Sequence, residues 1–444
     1  MESGLSLALE IVAKLQSHGY LAYFVGGCVR DRLLGIEPKD YDIGTSATPE
    51  QVARVIPNAE FVGAHFGVML VKHSPQVHVE VATFRSEGEY SDGRRPDLVR
   101  FEQDPEQDAR RRDFTINGLF EDPRTGQVLD FVGGRRDLAH KVMRAIGDPH
   151  LRFKEDHLRM LRAVRFAARL GFEIEEQTSA AIRELAPLIE TVSAERVRDE
   201  LVRILTEGGA RLGFELLDRT GLLAQVLPEI KAMQGVQQPP EYHPEGDVWQ
   251  HTLLMLEKLE PNVAPTLAWG ALLHDVGKPP TFRVADRIRF DNHAEVGAQL
   301  AENVLSRLRL STEEIEQVKA LVANHMRFKD VCDMRVSTLK RFLRLPAFEQ
   351  HLELHRLDCL ASNGYSDSYD FVRNQLQTLG ADELRPRRLL TGDDLVAAGY
   401  TPGPSFGPAL EAVESAQLEG RLHTREEALE LARLVLTRTP SAEQ

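Results

Sequence analysis

The sequence predicts an α+β protein in which a small mixed sheet comes first and helices fill the rest of the chain. Two observations carry this. Short β-like runs, Tyr23–Val25, Phe66–Lys72 and Gln76–Phe84, are confined to the first third, and Val77, Val79 and Val81 alternate with His78, Glu80 and Ala82 as in a half-buried strand. After about Val142 the apolar positions recur at helical spacing to the end.

At 444 residues the chain has room for about two to four domains. Its net charge of −14 argues against a surface that binds nucleic acid all over. Between Arg110 and Arg169, however, basic residues outnumber acidic ones, which suggests a confined polyanion site. Cys28, Cys332 and Cys359 are scattered, without the spacing of a disulfide framework or a structural zinc site, and fit a reducing compartment. No stretch is apolar enough to span a membrane, and Ser6–Gln16 reads as an amphipathic helix rather than a signal peptide. The expectation is a cytoplasmic protein with no membrane association and no obligate protein partner.

Residues 1–20 read as a helix leading into the strand at Tyr23–Val25. The run FVGGCVRDRLLGIEPKDYDIG begins there, at Phe24. Gly26 and Gly27 allow a tight turn and close approach of a ligand to the backbone. Cys28–Leu34 reads as a short helix whose first N–H groups face that turn, an anion-binding arrangement. A second strand is expected to carry Asp40 and Asp42 on one face, with Tyr41 and Ile43 on the other. A phosphate cradle beside paired carboxylates suits metal-assisted phosphoryl or nucleotidyl transfer, with Mg²⁺ on the carboxylates. Either piece alone is as readily a plain turn or a solvated acidic loop. Together, GGCVRDRLLG followed four residues later by DYD resembles the signature of the class II tRNA nucleotidyltransferase and bacterial poly(A) polymerase family.

The resemblance continues in order. TPEQVARVI reads as a helix with Thr48 as N-cap and Pro49 in its first turn. Glu80 could be an edge-strand charge; the resemblance at VEVATFR implies a third catalytic carboxylate beside Asp40 and Asp42. The polar stretch Ser86–Arg100 could be a surface loop or a mobile lid. In the family this loop is tied to the final adenosine addition and is shortened in CC-only members; here it is full length. RRDFTIN (Arg111–Asn117) resembles the family's second motif, which implies that Arg112, Asp113 and Asn117 contact the incoming nucleotide together with Gly26, Gly27 and Arg30. Val128–Phe131, Gly133, Gly134 and Asp137 resemble a flexible connector, and a domain boundary is expected near Ala145.

Phe153–Leu170 reads as one amphipathic helix that places Asp156 and Arg159 side by side. The pair could be an ordinary intrahelical salt bridge. Its resemblance to the family's EDxxR motif implies instead that these side chains match the Watson–Crick edge of cytosine or adenine, so that the protein is the template. Glu155 would orient the pair, Arg162 would bind nucleotide, and Arg162 and Arg165 would face RNA phosphate. Ser193–Leu205 resembles the family's bracing helix. Residues 206–235 read as short helices that end in the linker QGVQQPP.

Beyond it, YHPEGDVWQHT, LLHDVGKPP and FDNHAEVGA resemble the HD phosphohydrolase superfamily. His251, His274, Asp275 and Asp358 match its core ligands for an unidentified divalent metal, and His293 and His325 could serve a second ion. The C-terminal segment is similar to that of long tRNA nucleotidyltransferases; Thr401–Pro408 could contact a phosphate backbone or be a plain interhelix turn.

The resemblance therefore implies a polymerase-β-like nucleotidyltransferase head at residues 1–145, a helical neck and body at 146–238 that selects nucleotide and binds RNA, an HD domain at 239–370 and a helical tail at 371–444 that contacts tRNA. The implied activity is template-independent addition of C, C and A from CTP and ATP to the tRNA 3′ end. An A-adding enzyme or a poly(A) polymerase shares the motifs. An HD phosphohydrolase with an RNA-binding head is the alternative of a different class.

Overall fold

Phe24 and Val25 are both buried, Phe24 against the Tyr41 ring and Val25 among Phe84, Ala109 and Phe120. In the computed structural model, which describes residues 4–62, 67–74, 77–88, 98–241, 243–362, 364 and 366–438, the head strands are β1 (Ala22–Val25), β2 (Asp42–Thr45), β3 (Ala59–Phe61), β4 (Val68–Lys72), β5 (His78–Thr83), β6 (Arg85–Glu87), β7 (Val99–Phe101), β8 (Leu119–Asp122) and β9 (Gln127–Asp130). Seven of them form one sheet in the order β3-β4-β5-β2-β1-β8-β9. β2 runs parallel to β5, and the other pairs of this sheet are antiparallel, so the sheet is mixed as expected. Its register sets Asp42 opposite Glu80.

The helix Gly4–Ser17 packs Leu7, Ile11, Val12 and Leu15 against this sheet. Val25, Phe84, Ala109 and Phe120 form a second buried cluster. Gly44 has no alternative there: a Cβ at this position would lie 2.8 Å from Val25 and 2.9 Å from Phe84.

Several expectations are corrected. Ser86–Arg100 is not simply a loop, since its two ends pair antiparallel as β6 and β7; residues 89–97 lie outside the described residues. Val128–Phe131 is no flexible connector either. Its first residues belong to β9, and the Asp130 carboxylate accepts the backbone N–H groups of Val132, Gly133, Gly134 and Arg135 at 2.8–3.2 Å. Buried Asp137 then accepts the Thr115 hydroxyl at 2.8 Å and Arg144 Nε at 3.0 Å, which makes the joint a built corner.

Beyond the head the chain is not purely helical. β10 (Val142–Met143) pairs parallel with β11 (Glu173–Ile174), and β12 (Phe282–Val284) forms a hairpin with β13 (Ile288–Phe290). Two- and three-residue strands are too short to register against helical periodicity. The expected helix Phe153–Leu170 is in fact two, Pro149–Glu155 and Arg159–Leu170. Asp156 takes an extended backbone at φ −151°, ψ 106°, and its Oδ1 accepts the Leu158 N–H at 3.1 Å. A short acidic side chain offers the backbone a local acceptor that competes with the helical ladder.

The chain divides into two compact units. The first comprises Met1–Ala232 with Leu259–Val263 and Arg307–Leu310, so head, neck and body belong together. The second holds the remainder and begins at Met233. There the helices Val248–Glu257, Pro265–Leu273, Thr312–Asn324 and Phe348–Ala361 pack around buried Trp269. Phe406–Leu418 and Arg425–Arg438 pair near the C-terminus, and Thr401–Pro408 is an exposed turn that enters the former. Among the described residues no helix is long and apolar enough to cross a membrane.

Candidate active site

Gly26 has φ +75°, and a Cβ there would come within 2.8 Å of Arg112 Nη1. Only glycine makes this turn without strain and leaves the Arg112 guanidinium in place. The helix Gly27–Leu33 follows at once. Arg30 on it is buried, bonded to Asp31 through Nε at 2.7 Å and to Asn117 Oδ1 through Nη1 at 2.7 Å, and lies over the Phe166 ring.

Asp42 opens β2, but Asp40 sits before the strand in a bend, so the two do not alternate along one strand as expected. Both nonetheless line one cavity of about 620 Å³. Gly26, Gly27, Arg30, Arg112, Asp113, Asn117, Asp156, Arg159 and Arg162 line it too. Glu80 does not, and the carboxylates of Asp40, Asp42 and Glu80 do not converge within 4.8 Å of one another. Glu80 still acts on Asp42. Burial pushes the Asp42 carboxyl up to about 6, and the charges of Glu80 and Asp40 add to that, against the opposing pull of Arg112. The pair is thus negative charge short of counter-ions, which fits a hard divalent cation.

The opposite wall is a hydrogen-bonded lattice. Arg112 donates to Asp108 at 3.0 Å and to the Asn117 carbonyl at 3.4 Å. Asp113 accepts Arg162 at 2.7 and 3.0 Å, the Asn117 amide at 3.1 Å and the Phe114 N–H at 2.8 Å. Burial raises its carboxyl, but Arg162 and Asn117 outweigh this and hold it well below the usual carboxylate range. Asp156 gives both oxygens to Arg196, at 2.7 and 3.1 Å. Arg159 meets Glu155 and donates to the Arg152 carbonyl at 3.1 Å, while Asp156 stands outside both helices on Arg196, so the two are not neighbours on one helix face as expected. Arg165 is corrected: it is buried, paired with Glu200 at 2.6 Å and Glu207 at 3.3 Å, and so serves the protein interior rather than RNA phosphate.

The second unit holds the other cluster. His251 lies in the helix Val248–Glu257, while His274 and Asp275 follow the apolar helix Pro265–Leu273. Among the described residues three candidate ligand groups form: His251 with His274 and Asp358, Asp275 with His293 and His325, and, outside the expected set, His243 with Glu245 and His251. The four expected core residues are thus shared between two positions, linked by the 3.0 Å approach of His274 Nε2 to Asp275. Each imidazole is anchored through Nδ1: His251 on Glu245, His274 on the Ala271 carbonyl, His293 on that of Phe290 and His325 on that of Val322, at 2.6–2.9 Å. That fixes each Nε2 toward the cluster, the arrangement of a metal-binding histidine. Nε2 of His251 and of His274 are buried and face carboxylates, 3.2 Å from Asp358 Oδ1 and 3.0 Å from Asp275 Oδ2, so that ligand atoms converge where a cation would sit.

Residues 22–144 match the poly A polymerase head domain family, 171–234 the family described as a probable RNA and SrmB-binding site of polymerase A, and 247–354 the HD domain family. A CCA-adding enzyme of Enterococcus faecalis is 34% identical over 424 residues, covering 95% of this chain and 94% of the relative. The chain belongs to the CCA-adding enzyme family. A CC-adding tRNA nucleotidyltransferase of Thermus thermophilus is also similar, 35% identical over 422 residues, with 92% of each chain covered. The crystal structure of the Bacillus stearothermophilus CCA-adding enzyme in complex with CTP matches with a TM-score of 0.73 at 28% identity and 99% coverage of both chains.

Sequence reasoning missed some residues of this CCA-adding enzyme family member. Arg196 stands 40 positions after Asp156 on another helix, and no local spacing links them. Glu245 and Lys278 lie inside quoted motifs, YHPEG and HDVGK, and their charge beside histidines was the available signal.

Proposed function

We propose that this chain is a template-independent tRNA nucleotidyltransferase that adds C, C and A from CTP and ATP to the 3′ end of tRNA. One observation carries the reading: a single cavity holds the carboxylate pair Asp40 and Asp42 together with Asp156, Arg159 and Arg162. The turn at Gly26 and Gly27 admits a triphosphate close to the backbone. Asp40 and Asp42 would hold Mg²⁺, which in two-metal nucleotidyl transfer activates the attacking 3′ hydroxyl and steadies the leaving pyrophosphate. Asp156 supplies an acceptor and Arg159 a donor for a base edge, and Arg196 and Glu155 keep each from turning. The CCA- and CC-adding relatives and the CTP-bound neighbour support this reading. We assign the head to residues 1–145, the neck and body to 146–238, the HD domain to 239–370 and the tail to 371–444. A cytoplasmic location fits the three free cysteines.

The CC-adding relative makes the last nucleotide the open point, and the full-length stretch Ser86–Arg100 favours the terminal A. The test is labelled-nucleotide incorporation into tRNA lacking its CCA end, with CTP alone, ATP alone and both. CTP alone should add two residues and the mixture three. A product that stops at CC in the mixture makes this a CC-adding enzyme, and addition from ATP alone makes it an A-adding enzyme or a poly(A) polymerase.

The histidine cluster favours a second activity, metal-dependent hydrolysis of phosphate esters such as 2′,3′-cyclic phosphate ends. His274→Ala with Asp275→Ala should abolish such hydrolysis and leave nucleotide addition intact. Loss of CCA addition in the folded double variant would refute two separate sites.

A further inference from the structure

The two ligand groups built on the expected residues of the HD cluster have equal donor sets and unequal surroundings. Each brings two imidazoles and one carboxylate. Beside the His251, His274 and Asp358 group lies a further acid, Glu245, whose Oε1 is 2.8 Å from His251 Nδ1 and also 2.8 Å from His243 Nδ1, so that one carboxylate oxygen holds both imidazoles. Its side chain is only 7% exposed, and its Oε2 is buried without a hydrogen-bond partner. A proton shared between Nδ1 and this carboxylate leaves the Nε2 lone pair free and raises its electron density. The imidazoles of His293 and His325 instead lean on neutral backbone carbonyls.

The second difference is a buried ammonium. Lys278 Nζ lies 2.7 Å from Asp275 Oδ2 and donates to Gln238 Oε1 at 2.6 Å. It offsets the one carboxylate of the Asp275, His293 and His325 group. That group is close to neutral with its surroundings, whereas the His251 side carries the two negative charges of Asp358 and Glu245. In a buried cluster, Coulomb attraction for a divalent cation follows that difference.

We propose that the HD cluster takes two divalent ions in unequal steps, the His251 side first and tightly, the Asp275 side second and weakly, with Glu245 and Lys278 as the positioning residues that set the difference. This rests on the reading of the cluster as a divalent-metal site.

The experiment titrates metal-stripped full-length protein with Mn²⁺ by calorimetry, in an Asp42→Ala background that silences the head carboxylates. Two resolved steps are expected, the second at least tenfold weaker. Glu245→Gln should weaken the first step by about 10- to 100-fold and leave the second. Lys278→Met should tighten the second step several-fold and leave the first. Nucleotide addition by each variant with Asp42 intact should match the parent, which reports folding independently of the metal; in EDTA the Lys278→Met variant should unfold more readily than the parent, because Asp275 loses its buried ammonium. No binding at all by the parent overturns the metal-site reading itself. Two equal steps in the parent, an unchanged first step in Glu245→Gln, or a weakened second step in Lys278→Met overturns the assignment of the two residues while leaving the metal site standing. Should Glu245→Gln fail to fold, the Lys278→Met titration decides alone.

Discussion

Arg196 takes both carboxylate oxygens of Asp156 from a separate helix, at 2.7 and 3.1 Å. The acid proposed to read the base edge is therefore oriented by a guanidinium fork, a two-point contact that fixes direction as well as distance. Replacing Arg196 by Met should let Asp156 turn. Each mismatched edge that is tolerated forgoes about 1–3 kcal/mol of discrimination. The kcat/KM ratios of CTP over UTP and of ATP over GTP should fall by roughly tenfold or more. A purely structural ion pair predicts a lower melting temperature with unchanged ratios.

Asp42 sets stability against activity. Its carboxyl is raised from 3.8 to about 6 by burial and by the neighbouring acids. A carboxyl whose folded pKa lies above its unfolded one favours the fold at low pH, and that contribution is lost as the pH climbs from 3.8 through 6. At neutral pH the ionised group opposes folding. Asp42→Asn should therefore raise the melting temperature in metal-free neutral buffer while cutting nucleotide addition by roughly a thousandfold or more. A lower melting temperature would contradict the charge crowding described at this site.

Glu200 tests the corrected role of Arg165. Both partners are almost fully buried. Glu200→Ala leaves a buried guanidinium with only the longer 3.3 Å contact to Glu207, and should destabilise the protein by roughly 3 kcal/mol in urea denaturation. An RNA-phosphate role for Arg165 predicts the reverse pattern, with stability unchanged and tRNA affinity lost.

His351 should tune acid stability. It is 1% exposed, and neither ring nitrogen has a hydrogen-bond partner. Burial, with help from Arg327, lowers its pKa from 6.5 to about 4. The unfolded chain then binds a proton that the folded one refuses, so stability present above 6.5 is lost as the pH falls toward 4. Urea midpoints measured across this window should decline less in His351→Leu than in the parent protein. Parallel curves would remove His351 from the acid response.

The head was readable because its chemistry rests on short-range geometry. The Gly26 turn, the helix behind it, the nearby carboxylates and the RRDFTIN run each follow from backbone preferences within a few residues. Every catalytic or nucleotide-binding candidate of the head except Glu80 lines the cavity. The HD histidines were readable for a related reason: an adjacent His-Asp at the end of an apolar helix is a pattern that a bland core seldom needs.

What lay beyond the sequence is pairing between distant elements. Phe153–Leu170 has helical periodicity throughout, yet Asp156 breaks it, since local acceptance of a backbone N–H and a grip from Arg196 together outweigh one more helical turn. Arg165 looks like a surface cation until Glu200, 35 residues away, is packed against it. Asp40 leaves the strand that Asp42 begins. By itself the sequence determined the order of elements, the phosphate-turn motif and the residue types brought to each site, because period, turn chemistry and charge are written locally. Which carboxylate meets which guanidinium, and which histidine leans on an acid rather than a carbonyl, was decided only when helices far apart in sequence packed together, because hydrogen bonds and ion pairs act over a few ångströms and desolvation penalises every partner left unmatched.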